Sequence, residues 1–312
     1  MAAKGQPRFF LNFYGRRTLR IFPLYYGVLI FILLIIPVLI HNGPDLVGGS
    51  LDHQAWLWLY LTNYAIIAYD SYGIFLGTLF HMAHFWTLAV EEHFYLGWPL
   101  IVRFLPKRRL MWGCFGVIAL AISSRIWLQF TQGNDNKAAA ILTQCRVDTL
   151  ATGALAAVLL REYGIIKIQR FAAYGVIGCS LVIFWLFRSE YGLRPSGSHL
   201  PVLNFNILAV FFSCLLVLAL ATMRWRLTAL LLANRPIVAM GKYSYGLYVY
   251  HGLISGLFGS WITVAFVQRI VPTVFLSLVV RGAIWGCLAF ACAYASWHIY
   301  EKHWFKLKHH FQ

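Results

Sequence analysis

The chain has 312 residues, of which 60 % are apolar and 17 % aromatic, and only 12 % are charged, about half the charged share of a soluble globular domain. That composition excludes a soluble fold. The net charge of +16 does not indicate a nucleic-acid partner either, because Lys and Arg fall in short pieces between long apolar runs instead of on one foldable polar surface.

A spanning helix needs about 20 mostly apolar residues at 1.5 Å rise each. Eight runs qualify: Ile21 to Ile40, Phe85 to Leu105, Leu110 to Leu128, Cys145 to Leu160, Phe171 to Phe187, Leu203 to Thr222, Ile237 to Phe258 and Pro272 to Ile299. Eight crossings put both termini on one side. The loops support that count: eighteen of the 26 basic residues lie on the N-terminal side and four (Lys137, Arg188, Arg194, Arg269) on the other, so both termini are expected to be cytoplasmic. Met1 to Arg20 is polar and basic, without the apolar core of a cleavable signal, so the first span is expected to serve as an uncleaved anchor. Ala55 to Tyr69 is aromatic but short for a crossing and reads as a re-entrant or interfacial helix on the outer face. No repeat or long linker divides the chain. The expected fold is an all-α, polytopic transmembrane helical bundle forming a single domain over residues 1–312. The six cysteines lie in or beside apolar segments without metal-ligand spacing and read as packing residues.

An ionisable side chain at the bilayer centre costs at least about 2.5 kcal/mol, so each one inside a span is a site hypothesis. In Arg16 to Tyr26, Arg17 and Arg20 are three residues apart and project from one helical face, a pair suited to phosphate or pyrophosphate; lipid-headgroup anchoring is the bland alternative. Pro23 is placed to interrupt that helix. In His84 to Leu100, helical spacing puts His84, Thr87 and Glu91 on one side, with Glu92 turned roughly 100° away. One carboxylate can orient a base while the other pairs with an Arg, or both can simply lock helices together. In Cys145 to Ala157, Arg146 and Asp148 stand at the end of a span rich in small residues, either satisfying each other or facing a cavity. In Gly241 to Ile254, three glycines (Gly241, Gly246, Gly252) loosen the helix, and Tyr245, Tyr248 and His251 share a face.

Four stretches in this order, FYGRRTLRIFPLYY, FWTLAVEEHFYLGWPL, CRVDTLATGALAA and GKYSYGLYVYHGLI, resemble the acyltransferase-3 membrane proteins, which O-acylate surface polysaccharides and related glycans. The resemblance covers the chain from about Phe13 to Glu301. It implies that Arg17 and Arg20 serve acyl-coenzyme A binding near the cytoplasmic face, that Glu91 and Glu92 are the family's acidic pair, and that Arg146 and Asp148 are its Arg-x-Asp motif. Ser244, Tyr245 and His251 then correspond to its Ser-Tyr and His positions. Family members usually begin with two further spans, the first carrying the presumed catalytic His. Nothing in this sequence occupies that place, so the domain is expected to be N-terminally incomplete and weakly active or inactive, since His84 or His251 would have to substitute as base.

The resulting expectation is acyl transfer, acetyl above all, from acyl-coenzyme A as co-substrate to a hydroxyl of a cell-surface glycan or lipid-linked glycan. No permanently bound cofactor and no metal are expected, and the setting is a bacterial inner membrane with lipid as partner. Two other classes fit the same polar residues: a transporter of acyl groups or protons, because proton relays also use intramembrane Glu and His, and a structural partner of a longer paralogue.

Overall fold

The computed structural model describes residues 7–133, 137–188, 201–223, 225–271 and 273–311, without the side chains of residues 201 and 202. The expected loop cations Lys4, Arg194 and Arg224, and Pro272, the expected start of the last span, lie outside the described residues. Among those described there are eight long helices: α1 (Phe9–Leu39), α2 (Trp86–Phe104), α3 (Lys107–Gln132), α4 (Thr143–Tyr163), α5 (Ile165–Arg188), α6 (Pro201–Thr222), α7 (Arg235–Gly259) and α8 (Val274–Ser296). The chain is an all-α integral membrane protein. Among the described residues, five helices are long and apolar enough to cross a bilayer, namely α1, α3, α5, α6 over Leu203–Thr222, and α8 with its continuation to Phe311. The other three, α2, α4 and α7, have 19, 21 and 25 residues and carry Glu91, Glu92, Arg146, Asp148 and His251.

Lipid explains the outer surface. On α5, Tyr174, Leu181, Phe184 and Phe187 are 64–75 % exposed, a patch that water would penalise and hydrocarbon does not.

The chain divides into two compact units. The central unit, Ala89–Asn234, holds α3 to α6 and most of α2. Here α3 packs on α4, α5 on α6 and α6 on α4. The short return from α4 to α5 turns at Gly164, whose φ of +77° is easy only for glycine.

The terminal unit, Gly5–Leu88 with Arg235–Gln312, holds α1, α7, α8 and the segment between α1 and α2. The first helix begins at Phe9, well before the apolar run at Ile21, so the arginines lie inside the helix and not ahead of it. Pro23 does not interrupt it. The irregularity comes later, in a π-helical turn at Ile30–Ile35, with a second at Trp297–Glu301 after α8. Such turns insert one residue into the ladder and rotate the helix beyond them. The aromatic stretch 55–69 forms two short helices, Gln54–Trp58 and Thr62–Ala68, separated at Tyr60, which holds a left-handed φ of +56°. The longer spans about 10 Å, against a hydrocarbon core of about 30 Å, so neither crosses. Tyrosines of α1 hold this segment: Tyr25 Oη donates to the Leu57 carbonyl at 2.7 Å, Tyr26 Oη to that of Trp58 at 3.2 Å, and the Tyr25 ring stacks on Tyr60 at 4.3 Å.

Candidate functional site

In the terminal unit α7 is one unbroken helix, and Gly246 and Gly252 are places of close approach instead of loose joints. A Cβ on Gly246 would meet Ala293 of α8, and one on Gly252 would fall inside the imidazole of His84. The missing side chain at Gly252 is therefore what lets His84, in the 3-10 turn Ala83–Phe85 ahead of α2, lie against α7. Gly241 has nothing near it.

Around that notch the aromatic and polar groups of α7 converge on His84. Its ring centroid lies 4.8 Å from His251, 5.4 Å from Tyr248 and 4.3 Å from Phe85. Tyr248 Oη donates to the His84 carbonyl at 2.7 Å. Thr87 Oγ1 donates to the same carbonyl at 3.3 Å, and the two hydroxyls lie 2.8 Å apart. His84 Nε2 is buried without a hydrogen-bond partner. Burial, and after it the charge of His251, pushes the His84 pKa from 6.5 down to about 3. The ring is therefore neutral.

His251 is exposed, and its Nδ1 lies 2.5 Å from the Tyr248 carbonyl oxygen. A carbonyl only accepts, so Nδ1 carries the proton and, in the neutral ring, the lone pair sits on Nε2. Toward the start of the same helix, Tyr245 Oη donates to the Ile21 carbonyl at 2.8 Å, tying α7 to α1 one residue past Arg20. Arg17 is half-buried, while Arg16, Arg20 and Ser244 are exposed.

Glu91 and Glu92 are counted in the central unit, His84 and Thr87 in the terminal unit. Tyr95 Oη donates to Glu91 Oε2 at 3.2 Å, one turn along α2, and Glu92 is 8 % exposed. The neighbouring His93 Nδ1 meets Thr143 Oγ1 of α4 at 2.7 Å.

Arg146 and Asp148 do not pair with each other, which corrects the mutual pairing that the sequence allowed. Two residues apart on a helix they point about 200° from one another. Asp148, fully buried, accepts from Arg125 Nη2 at 2.7 Å and Asn206 Nδ2 at 2.8 Å, while the Arg146 guanidinium lies 3.7 Å from the centroid of Phe205.

Two functional candidates escaped the sequence reading. Arg125, 1 % exposed, had no partner visible until α3, α4 and α6 came together. Glu301, 5 % exposed, accepts from Ser296 Oγ at 2.9 Å and lies beside Tyr250. Ser296 and Tyr250 line a cavity of about 610 Å³ whose other walls are largely apolar, with Leu24, Phe31, Leu253 and Ile299 among them. Five residues apart, Ser296 and Glu301 would face different ways on a regular α-helix. The π turn brings them together.

A family profile described as an acyltransferase domain, acyltransferase-3, matches residues 2–298. The O-acetyltransferase OatA of Staphylococcus aureus strain NCTC 8325 is 26 % identical over 250 residues, covering 77 % of this chain and 40 % of that protein. The peptidoglycan O-acetyltransferase OatA of Listeria monocytogenes serovar 1/2a is 25 % identical over 264 residues, 80 % of this chain and 40 % of that protein. The chain thus spans about 40 % of the length of these curated relatives. No solved structure matches it.

Proposed function

The chain belongs to the acyltransferase-3 family, and from that premise we propose that it transfers an acyl group, acetyl above all, from acyl-coenzyme A to a hydroxyl of a cell-surface glycan or lipid-linked glycan. The names of the relatives, O-acetyltransferase and peptidoglycan O-acetyltransferase, favour acetyl as the group and a wall-type polysaccharide as the acceptor.

The observation that carries the reading is the histidine pair. His251, with Nδ1 held by the Tyr248 carbonyl, is the tautomer a general base needs, and Nε2 takes the proton of the acceptor hydroxyl as its oxygen attacks the thioester carbonyl carbon. The carbon–sulfur bond then breaks and the proton passes to the departing sulfur, releasing coenzyme A as the thiol. His84 is too weakly basic to share that task, because a base works best with a pKa near the working pH. As a neutral imidazole it suits the other requirement, an N–H donated to the carbonyl oxygen as charge develops there. Glu91 and Glu92 are assigned, as the family's acidic pair, to handling of the acceptor.

Arg17 and Arg20 are assigned to the phosphates of the donor. Counting along α1 from Arg17 to Ile21, and along α7 from Tyr245 to His251, separates the arginines from the histidines by about 15 Å. An extended pantetheine arm separates phosphates and thioester in the same sense. The placement of most loop cations on the N-terminal side supports a cytoplasmic donor, cytoplasmic termini and a bacterial inner membrane.

Acetylation of a glycan acceptor by the membrane-embedded protein tests the roles. His251→Gln is expected to lower turnover by at least about a hundredfold, and His84→Asn by tenfold or more. Undiminished turnover in His251→Gln would overturn the assignment of the base.

A further inference from the structure

The cavity of about 610 Å³ in the terminal unit has no part in the transfer chemistry, yet both π-helical turns contribute to its walls: Ile30 and Phe31 come from the first, Ile299 and Tyr300 from the second. Irregular turns of this kind recur at functional sites. On α7 the cavity is faced by Tyr250, Ile254 and Leu257. Gly252, against which His84 lies, is two residues from both Tyr250 and Ile254 and so stands about 200° around the helix from them. The cavity is therefore on the other side of α7 from the histidine pair.

Its walls along α1 are apolar from Leu24 to Ile32, about 12 Å of rise inside the first span. Phe31 and Ile299 are exposed, so the cavity opens toward hydrocarbon, and an apolar space of this size takes up an apolar guest. The hydroxyls in the wall restrict which guest fits. Tyr300 Oη donates to the Pro23 carbonyl at 3.2 Å and Ser296 Oγ to Glu301 Oε1 at 2.9 Å. With its one proton committed to a carboxylate that is 5 % exposed, Ser296 Oγ has only lone pairs to offer. An ester-linked phospholipid tail brings carbonyls, which also only accept, and a fatty acid brings a second carboxyl beside Glu301. A hydroxyl on a hydrocarbon chain answers both Ser296, to which it donates, and Tyr250, from which it accepts.

We propose that this cavity is a lipid site separate from the histidine pair, and that its ligand is a long-chain alcohol whose hydroxyl donates to Ser296 while its chain lies between α1, α7 and α8. The π turn at Trp297–Glu301 then has a stated task, since it alone brings Glu301 to Ser296 and fixes the serine as an acceptor.

The test is photolabelling of the protein in nanodiscs by a diazirine-bearing hexadecanol, with the labelled peptides identified by mass spectrometry. Label is expected on α1, α7 and α8. Dodecanol should compete about tenfold better than its methyl ether, which has the same chain and no proton to donate. Ser296→Ala should abolish that preference, so that alcohol and ether compete equally. Leu257→Trp, which fills the cavity, should abolish the labelling, and thermal midpoints show whether each variant is folded. Wild-type labelling with no preference for alcohol over ether would make the cavity an unselective gap for lipid tails and overturn the proposal. Label absent from these three helices, or a preference retained in Ser296→Ala, would overturn it as well. None of these outcomes depends on acyl transfer, which is measured separately.

Discussion

His84 shows how a single side chain is tuned by where a glycine allows it to lie. Against α7 it is withdrawn from solvent and faces His251, and it stays neutral down to about pH 3 where an ordinary histidine titrates at 6.5. Below 6.5 an unfolded chain takes up a proton that the folded site refuses. Its contribution to stability is therefore complete above pH 6.5 and is lost as pH falls toward 3, at roughly 1.4 kcal/mol per unit. Between about pH 7.5 and 5 the wild type should lose about 2 kcal/mol more than His84→Asn, measured by unfolding in detergent. Equal losses would show that His84 is not held neutral. At this scale the sequence was a partial guide. An ionisable group inside an apolar run stands out by its cost, which is how His84, Glu91, Arg146, Asp148 and His251 were found. Its partner does not stand out, because Arg125 and Asn206 reach Asp148 from helices 23 and 58 residues away in the chain. Glu301 was hidden for a different reason: it comes after the last apolar run, and only a π turn aims it at Ser296.

Helix α7 is the element on which the site depends, and its glycines differ in what surrounds them. Gly256 faces the carbonyl of Leu79 and the amide of His81, which are backbone atoms that cannot swing aside. Gly256→Ala should destabilise by about 1–3 kcal/mol. Gly252 faces only the His84 ring, so Gly252→Ala should displace that ring and lower acyl transfer while moving the thermal midpoint little. Gly241 faces nothing, and Gly241→Ala should stabilise the helix by about 0.5–1 kcal/mol. Paired melting and turnover measurements on the three variants check this order. A Gly252→Ala variant with full turnover would separate the notch from the chemistry. The helical bundle was legible because long apolar runs mark it, although among the described residues length and apolarity single out five of the eight long helices. Their irregularities were not: Pro23 suggested a break that the structure does not have, and the π turns at Ile30–Ile35 and Trp297–Glu301 leave no local signature in residue type. The three glycines of GKYSYGLYVYHG suggested flexibility. Their use as contact points depends on what lies opposite, which no local pattern specifies.

For the whole molecule, the bilayer decides which groups are costly. Within the terminal unit the Phe311 ring packs on Gly15. The acceptor was not legible, because its recognition lies in the shape of a cavity. An enzyme and a transporter of acyl groups would use the same polar residues, and they differ in whether an acceptor is needed. The direct measurement supplies labelled acetyl-coenzyme A to the cytoplasmic face of sealed inverted vesicles containing the protein, with or without a glycan acceptor enclosed. The account predicts label on the enclosed glycan, none retained without it, and loss of the signal in His251→Gln. Label crossing into vesicles that hold no acceptor, with His251→Gln equal to the wild type, would contradict it.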